Sequence, residues 1–283
     1  MTISYNRLGS NGRLGNQMFQ YAGLRGVAAN RGFDWLIPSP DNYGDSNYGL
    51  FDCFKMSSVE DKNFGQLNAQ SIQTGQFHFA QDFFDGCPDN VNLHDHFTTQ
   101  KYFLNIEDTI RGDYTFKDEI LEPCSEVIGQ CDNPIFLHVR RGDYAVHTAA
   151  HPLIPMSYYE KALELFSEDS TVLVFSDDIE WCKQQELFSG DRFMLSEYTE
   201  KYPQTSDTLF GKQNTLIPYF DLCMMTLCEG GILANSTMSW WGAWLMKNKK
   251  QPIVAPNPWF GSFYENYNMN DLLPDGWVEV EYE

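Results

Sequence analysis

Three times in the second half of this chain a short apolar run gives way at once to a polar turn and then to a segment of helical periodicity. That alternation restricts the fold more than any other feature. Ile135 to Val139, after Pro134, leads into Arg140-Arg141-Gly142-Asp143. Thr171 to Phe175 leads into Ser176-Asp177-Asp178, and Ile232 to Ala234 into Asn235-Ser236. Pro252 to Ala255 is a further strand-like run. Between them, Ser157 and Glu160 have capping-box spacing ahead of an amphipathic segment from Tyr158 to Phe166. Ile179, Trp181 and Cys182 mark a helix capped by the Asp pair. Pro218 to Glu229 reads as a helix closed by Gly230-Gly231, and Ser236 opens another through Leu245. The order predicts a parallel sheet covered by helices, with ligands at the carboxyl ends of its strands.

The first half is less regular. A strand near Ile3-Ser4-Tyr5 is followed by a loop carrying Gly9, Gly12 and Gly15 and a helix from about Asn16 to Asn30. Between Ser39 and Gln100 the Gly, Asn, Asp and Phe content predicts loops and short pieces. A boundary near Cys131-Asp132-Asn133-Pro134 divides the 283 residues into 1–131 and 132–283.

Charge narrows the partners. With 19 Lys and Arg against 39 Asp and Glu, the net charge of −20 repels nucleic acid and anionic membrane, so clustered Arg residues become informative. The amino terminus lacks a basic segment followed by an apolar run, and no stretch approaches the length of a membrane span, so a soluble cytoplasmic protein without a transmembrane anchor is expected. Seven cysteines without a CxxC pair predict reduced thiols.

Adjacent Arg140 and Arg141 suit phosphate oxygens, since guanidinium offers a charged bidentate fork. Both can meet one ligand only if the strand has ended, a turn that Gly142 favours; a surface pair bonded to Asp143 is the competing reading. Backbone N–H groups at the helix start near Ser236, with the hydroxyls of Ser236, Thr237 and Ser239, make a metal-free anion site or an ordinary N-cap. A carboxylate of Asp177 or Asp178 could accept the N1–H and N2–H of guanine, or simply cap a helix. Trp241, Trp244 and Leu245 read as core anchors. The glycine loop matches neither the dinucleotide fingerprint nor a P-loop. His94-Asp95-His96 is only a partial metal site, so no metal is assigned.

Together, Gly12-Arg13-Leu14-Gly15-Asn16-Gln17-Met18-Phe19-Gln20-Tyr21-Ala22, His138-Val139-Arg140-Arg141-Gly142-Asp143-Tyr144, Val174-Phe175-Ser176-Asp177-Asp178 and Asn235-Ser236-Thr237-Met238-Ser239-Trp240-Trp241-Gly242-Ala243 resemble the signature segments of α-1,2-fucosyltransferases, glycosyltransferase family 11. The resemblance implies an α/β protein of two-lobed GT-B type with a Rossmann-like parallel sheet in the C-terminal lobe. It implies inverting transfer of fucose from GDP-fucose to a glycan acceptor with terminal galactose, without cofactor or metal. It carries phosphate binding onto Arg140 and Arg141, with Asn235, Ser236, Thr237 and Ser239 opposite them. Nucleoside contact falls to His138, Ser176, Asp177 and Asp178, while Gly15 and Asn16 face the sugar from the other lobe.

Catalysis is assigned to Arg140 and Arg141 as stabilisers of the leaving diphosphate, and to Asp143 as base, with His147 behind it. Asp143 orienting an Arg is the alternative, as is a dissociative route with little base assistance. An α-1,6- or protein O-fucosyltransferase shares the His-x-Arg-Arg-x-Asp segment, and a non-catalytic carbohydrate-binding protein is the rival from another class. The acceptor is expected to be set by loops between Ser39 and Gln100.

Overall fold

The computed structural model describes residues 1–42, 48–196 and 217–282, which divide into two compact units. The first comprises Met1–Lys117 and Tyr267–Pro274. Its parallel sheet runs β2 (Asp34–Leu36), β1 (Thr2–Ser4), β4 (Val91–Leu93), β3 (Ser71–Ile72). Helix α1 (Leu14–Arg31) buries Met18, Phe19, Tyr21, Ala22, Leu24 and Val27, the apolar face that its periodicity predicts. The short helices α2 (Gly49–Cys53), α3 (Gln81–Gly86) and α4 (Glu107–Asp113) complete the unit. From Ser39 to Gln100 the described chain is indeed loops and short pieces; residues 43–47 of that stretch lie outside the described residues. Polar burial is concentrated at Asp113, which accepts hydrogen bonds from Tyr21 at 2.7 Å and Ser58 Oγ at 2.6 Å and pairs with Arg25 at 2.9 Å.

The second unit, Asp118–Asn266 with Asp275–Glu283, begins with α5 (Asp118–Ile128). Its strands are β5 (Ile135–Val139), β6 (Val172–Ser176), β7 (Phe193–Leu195), β8 (Gly230–Ile232), β9 (Ile253–Asn257) and β10 (Val278–Glu281). They form one sheet in the order β10-β9-β8-β5-β6-β7, every pairing parallel. Helices α6 (Met156–Leu163), α7 (Ile179–Cys182), α8 (Ile217–Leu227) and α9 (Thr237–Leu245) intervene. All five residues of β5 are buried, as befits a central parallel strand. Alternation sends Ile135, Leu137 and Val139 into a core with Val172, Val174, Ile232, Val254, Tyr158 and Tyr159. Strand order steps from β5 through β6 to β7 on one side and from β8 through β9 to β10 on the other, so the direction of winding reverses between β5 and β8. In open α/β sheets the crevice beyond such a reversal is where ligands bind.

Three local expectations are corrected. The division falls at Lys117/Asp118 rather than 131/132 because α5 packs on α8, while Tyr267–Pro274 rejoins the first unit, where Asp271 pairs with Lys101 and accepts from the Phe79 amide at 3.1 Å. Helix α6 begins at Met156 after Pro155 with no side-chain cap, so Ser157 and Glu160 lie inside it and form no capping box. Gly230-Gly231 belongs to β8 instead of closing α8; Gly231 lies opposite Phe136, whose ring would stand 2.3 Å from any Cβ there.

Candidate active site

β5 ends at Val139, so Arg140 and Arg141 leave the ladder together and the alternation of strand faces no longer separates them. Arg140 is held from two sides: its Nη1 pairs with Asp177 Oδ2 at 2.8 Å and its Nη2 with Asp143. Its guanidinium also lies 5.1 Å from the centre of the Tyr144 ring. Arg141 pairs through Nε with Asp178 Oδ2 at 3.1 Å and stacks 4.0 Å over Trp181. The Arg141 amide donates to Asp177 Oδ1 at 2.9 Å. A side chain on Gly142 would bring a Cβ within 2.2 Å of the Asp177 carboxylate, so only glycine lets the loop close on that anchor. Both guanidiniums are thereby fixed in place before any ligand arrives, which is the preorganisation that electrostatic catalysis requires.

Asp177 and Asp178 are occupied by the Arg pair; Asp178 additionally caps α7 by accepting from the Trp181 amide at 3.2 Å, and Ser176 Oγ accepts from the Asp178 amide at 2.9 Å. The competing view of Arg140 as a partner of Asp143 holds in part, since that pair exists alongside the one with Asp177.

β8 brings up the facing wall. Its carboxyl end leads through Asn235 to Ser236, whose Oγ caps α9 by accepting from the Met238 amide at 3.3 Å. Thr237 opens the helix. Ser239 is fully buried and donates to the carbonyls of Ala234 and Ser236, both at 3.2 Å, so its hydroxyl serves the turn. The Tyr144 hydroxyl donates to the Asn235 carbonyl at 3.0 Å and ties the β5 loop to the β8 loop. Asn235 Nδ2 donates to the Pro152 carbonyl at 3.0 Å, while its Oδ1 is buried without a partner. The turn after β8 and the Arg pair after β5 therefore meet at the reversal of strand order.

His138 sits on the face of β5 opposite Val139, buried, with Nδ1 lacking a partner. Burial, assisted by the Arg140 charge, pushes its pKa down to about 3, so the imidazole is neutral. His147 follows the 3-10 turn Asp143–Val146 and is exposed. Gly15 and Asn16 occupy the first turn of α1 in the other unit.

The model of glycosyl transferase family 11 matches residues 2–281. The chain belongs to glycosyl transferase family 11. Among its relatives, an Escherichia coli alpha-1,2-colitosyltransferase is 29% identical over 311 aligned residues, covering 99% of this chain and all of that one. Human galactoside alpha-(1,2)-fucosyltransferase 1 is 24% identical, covering 83% of this chain and 64% of the human one. Of solved structures, the fucosyltransferase NodZ from Bradyrhizobium superposes with a TM-score of 0.55 at 14% identity, covering 85% of this chain and 91% of NodZ. POFUT1 in complex with GDP gives 0.54 at 11%, covering 90% and 97%. The fold is of GT-B type.

Within this family member one buried acid escaped the sequence reading. Asp221 lies one turn into α8 and meets Ser196, the residue that follows β7 at its carboxyl end. Its carboxylate is buried, which pushes its pKa up to about 7, against an opposing hydrogen bond from Ser196 Oγ at 2.8 Å. The available signal was the lone acid in Ile-Pro-Tyr-Phe-Asp-Leu-Cys-Met-Met, an otherwise nearly apolar helix. His94-Asp95-His96 is engaged internally: Asp95 accepts from the Thr74 amide at 2.6 Å and the His96 amide at 2.7 Å, and Arg7 approaches His94 Nε2 at 3.3 Å. Among the described residues no group of three His, Cys, Asp or Glu is placed to hold a metal ion, and no helix is long and apolar enough to cross a membrane.

Proposed function

We propose that the protein is a metal-independent, inverting glycosyltransferase of the cytoplasm that moves L-fucose from GDP-β-L-fucose to the 2-hydroxyl of a galactoside. One observation carries the reading: two immobilised guanidiniums and the N-terminus of α9 converge where strand order reverses. In the reaction the acceptor oxygen bonds to C1 of fucose, the bond from C1 to the β-phosphate oxygen breaks, and the charge returns to the diphosphate. Arg140 and Arg141, held by their carboxylate partners, receive it without reorganising, with the positive end of the α9 dipole facing it. The acceptor proton leaves to Asp143, or to His147 or solvent. Asp143 also steadies Arg140, and that second task suits it to positioning.

Asp177 and Asp178 act in this reading as anchors of the Arg pair, because carboxylates already engaged by guanidinium are poor acceptors for guanine. Neutral His138 and enclosed Asp221 then become the groups left for the nucleoside. Gly15 and Asn16 are assigned to the sugar. A second reading takes GDP-colitose as donor, favoured by the relative aligned along 99% of the chain.

The test is incubation with GDP-fucose or GDP-colitose and a panel of β-galactosides in EDTA, followed by NMR assignment of the product linkage. An α-1,2 product formed at full rate in EDTA is expected. Activity restored only by Mn²⁺ or Mg²⁺, a 6-linked product, or no transfer from either donor would overturn the proposal.

A further inference from the structure

Beside the Arg pair lies an aromatic ladder that the donor chemistry leaves unused. The Tyr144 ring, under Arg140, stacks on His151 with centroids 4.5 Å apart and planes 15° from parallel. His151 continues to Phe260 at 5.7 Å, Phe260 to Tyr264 at 5.1 Å, and Tyr264 to Phe263 at 4.9 Å. The ladder thus runs from the phosphate end of the site outward, and it ends on a Phe263 side chain that is 69% exposed. Two loops build it, one after β5 and one after β9. Backbone bonds lock them in register: the Gly261 amide donates to the Ala150 carbonyl at 3.0 Å and the Phe263 amide to the Ala149 carbonyl at 2.9 Å.

A phenyl ring held at the tip of a braced turn, with Tyr264 packed edge-on against it, presents a rigid apolar face to solvent. We propose that Phe263, backed by Tyr264, is a platform for the acceptor sugar, a β-galactopyranoside that lays its C–H face on the ring. In β-galactose the hydrogens on C1, C3, C4 and C5 share one face because O4 points to the other, which gives a flat hydrocarbon patch matched to one aromatic ring. The hydroxyls at the sugar's edge then meet polar groups of the same loops, with the 48% exposed carboxylate of Asp143 at the inner end of the ladder. Continuity with Arg140 through Tyr144 selects the acceptor over a remote carbohydrate, since a ligand seated on this ladder extends toward the position of the leaving phosphate. The inference rests on the glycosyl-transfer reading for the word acceptor; binding of the galactoside itself does not depend on the donor.

Two measurements separate the ideas. Saturation-transfer NMR with methyl β-D-galactopyranoside and lactose, in the absence of any nucleotide, should show transfer from aromatic protons to H3, H4 and H5, lost in Phe263→Ala and retained in Phe263→Trp. In steady-state assays with GDP-fucose, Phe263→Ala should raise the lactose KM about tenfold, the loss of one well-covered hydrophobic contact. The KM for GDP-fucose and its slow hydrolysis without acceptor should stay unchanged. Equal saturation transfer in wild type and Phe263→Ala, no transfer in either, or an unchanged lactose KM would overturn the platform. Failure of the donor reading would leave the NMR result intact.

Discussion

Replacing Arg140 with Ala removes more than one donor from the site. Loss of a preorganised donor to a departing oxyanion costs ~3–4 kcal/mol in the transition state. Arg140 also neutralises Asp177 and Asp143, and without it both carboxylates face the incoming diphosphate. Asp143 is half exposed and screened, so only Asp177, 24% exposed, is counted. One such charge about 6 Å from a phosphate adds roughly 1–3 kcal/mol at intermediate dielectric. The sum, ~4–7 kcal/mol, is a fall of ~10³–10⁵ in kcat/KM. Arg141→Ala releases only Asp178, which at 39% exposure is better screened than Asp177, so it should cost the donor alone, or ~10²–10³. If the freed carboxylate contributes as argued, Asp177→Asn in the Arg140→Ala background should recover part of the loss. The assay is kcat/KM for GDP-fucose with GDP affinity by calorimetry, and circular dichroism to verify folding. Turnover near wild type in Arg140→Ala, or a larger loss in Arg141→Ala, would refute the reasoning.

Asp143→Asn should lower kcat about tenfold and leave the pH profile in place if the side chain positions Arg140; a base would show ~10²–10⁴ and a missing acid limb in the profile of kcat/KM. His138 binds its proton near pH 3 when folded against 6.5 when unfolded. Its contribution is therefore full above pH 6.5 and lost as pH falls toward 3, and His138→Gln should flatten the acid side of a urea-denaturation series by on the order of 4 kcal/mol. Asp221 has the opposite sign, with a folded pKa of about 7 above the unfolded 3.8, so its stabilisation is complete below 3.8 and lost as pH rises through 7. Asp221→Asn should gain ~2–4 kcal/mol of stability at pH 8 and nothing near pH 3, while weakening GDP binding; equal stability at both pH values would remove Asp221 from consideration.

The parallel sheet and its ligand edge were legible because buried strands such as Ile135–Val139 are continuous apolar runs and each is followed by a polar turn. Partnership was not. Asp177 and Asp178 carry the same chemistry whether they face guanine or guanidinium, and only the register of β5 against β6, which sets Val139 opposite Ser176, brings them to the Arg pair. The domain boundary was misplaced for a related reason. Nothing in α5 marks it as a neighbour of α8, about a hundred residues on, and the excursion of Tyr267–Pro274 into the first unit is carried by tertiary contacts, among them Asp271 with Lys101 and the Phe79 amide and Tyr267 with Phe77, that no sequence pattern announces. Asp221 was visible as a polar residue in an apolar helix, but its burial, which gives it meaning, is a tertiary fact.

Those partnerships change how the site attracts an anion. Arg140 and Arg141 are opposed by Asp143, Asp177 and Asp178, two positive charges against three negative, in a protein whose net charge is −20. Net field cannot draw a nucleoside diphosphate to such a place. What remains is direction: guanidinium hydrogens not spent on carboxylates, and the positive end of the α9 dipole, both short-range and fixed in place. Salt screens the long-range repulsion of the acidic surface more than it weakens contacts made at hydrogen-bond distance. GDP should therefore bind as tightly, or more tightly, when NaCl is raised from about 50 to about 500 mM, a range over which the Debye length falls well below the size of the protein. A steep loss of affinity over that range in calorimetry would mean that the Arg pair acts as a free cationic patch, and that its three carboxylate partners give way when the ligand binds.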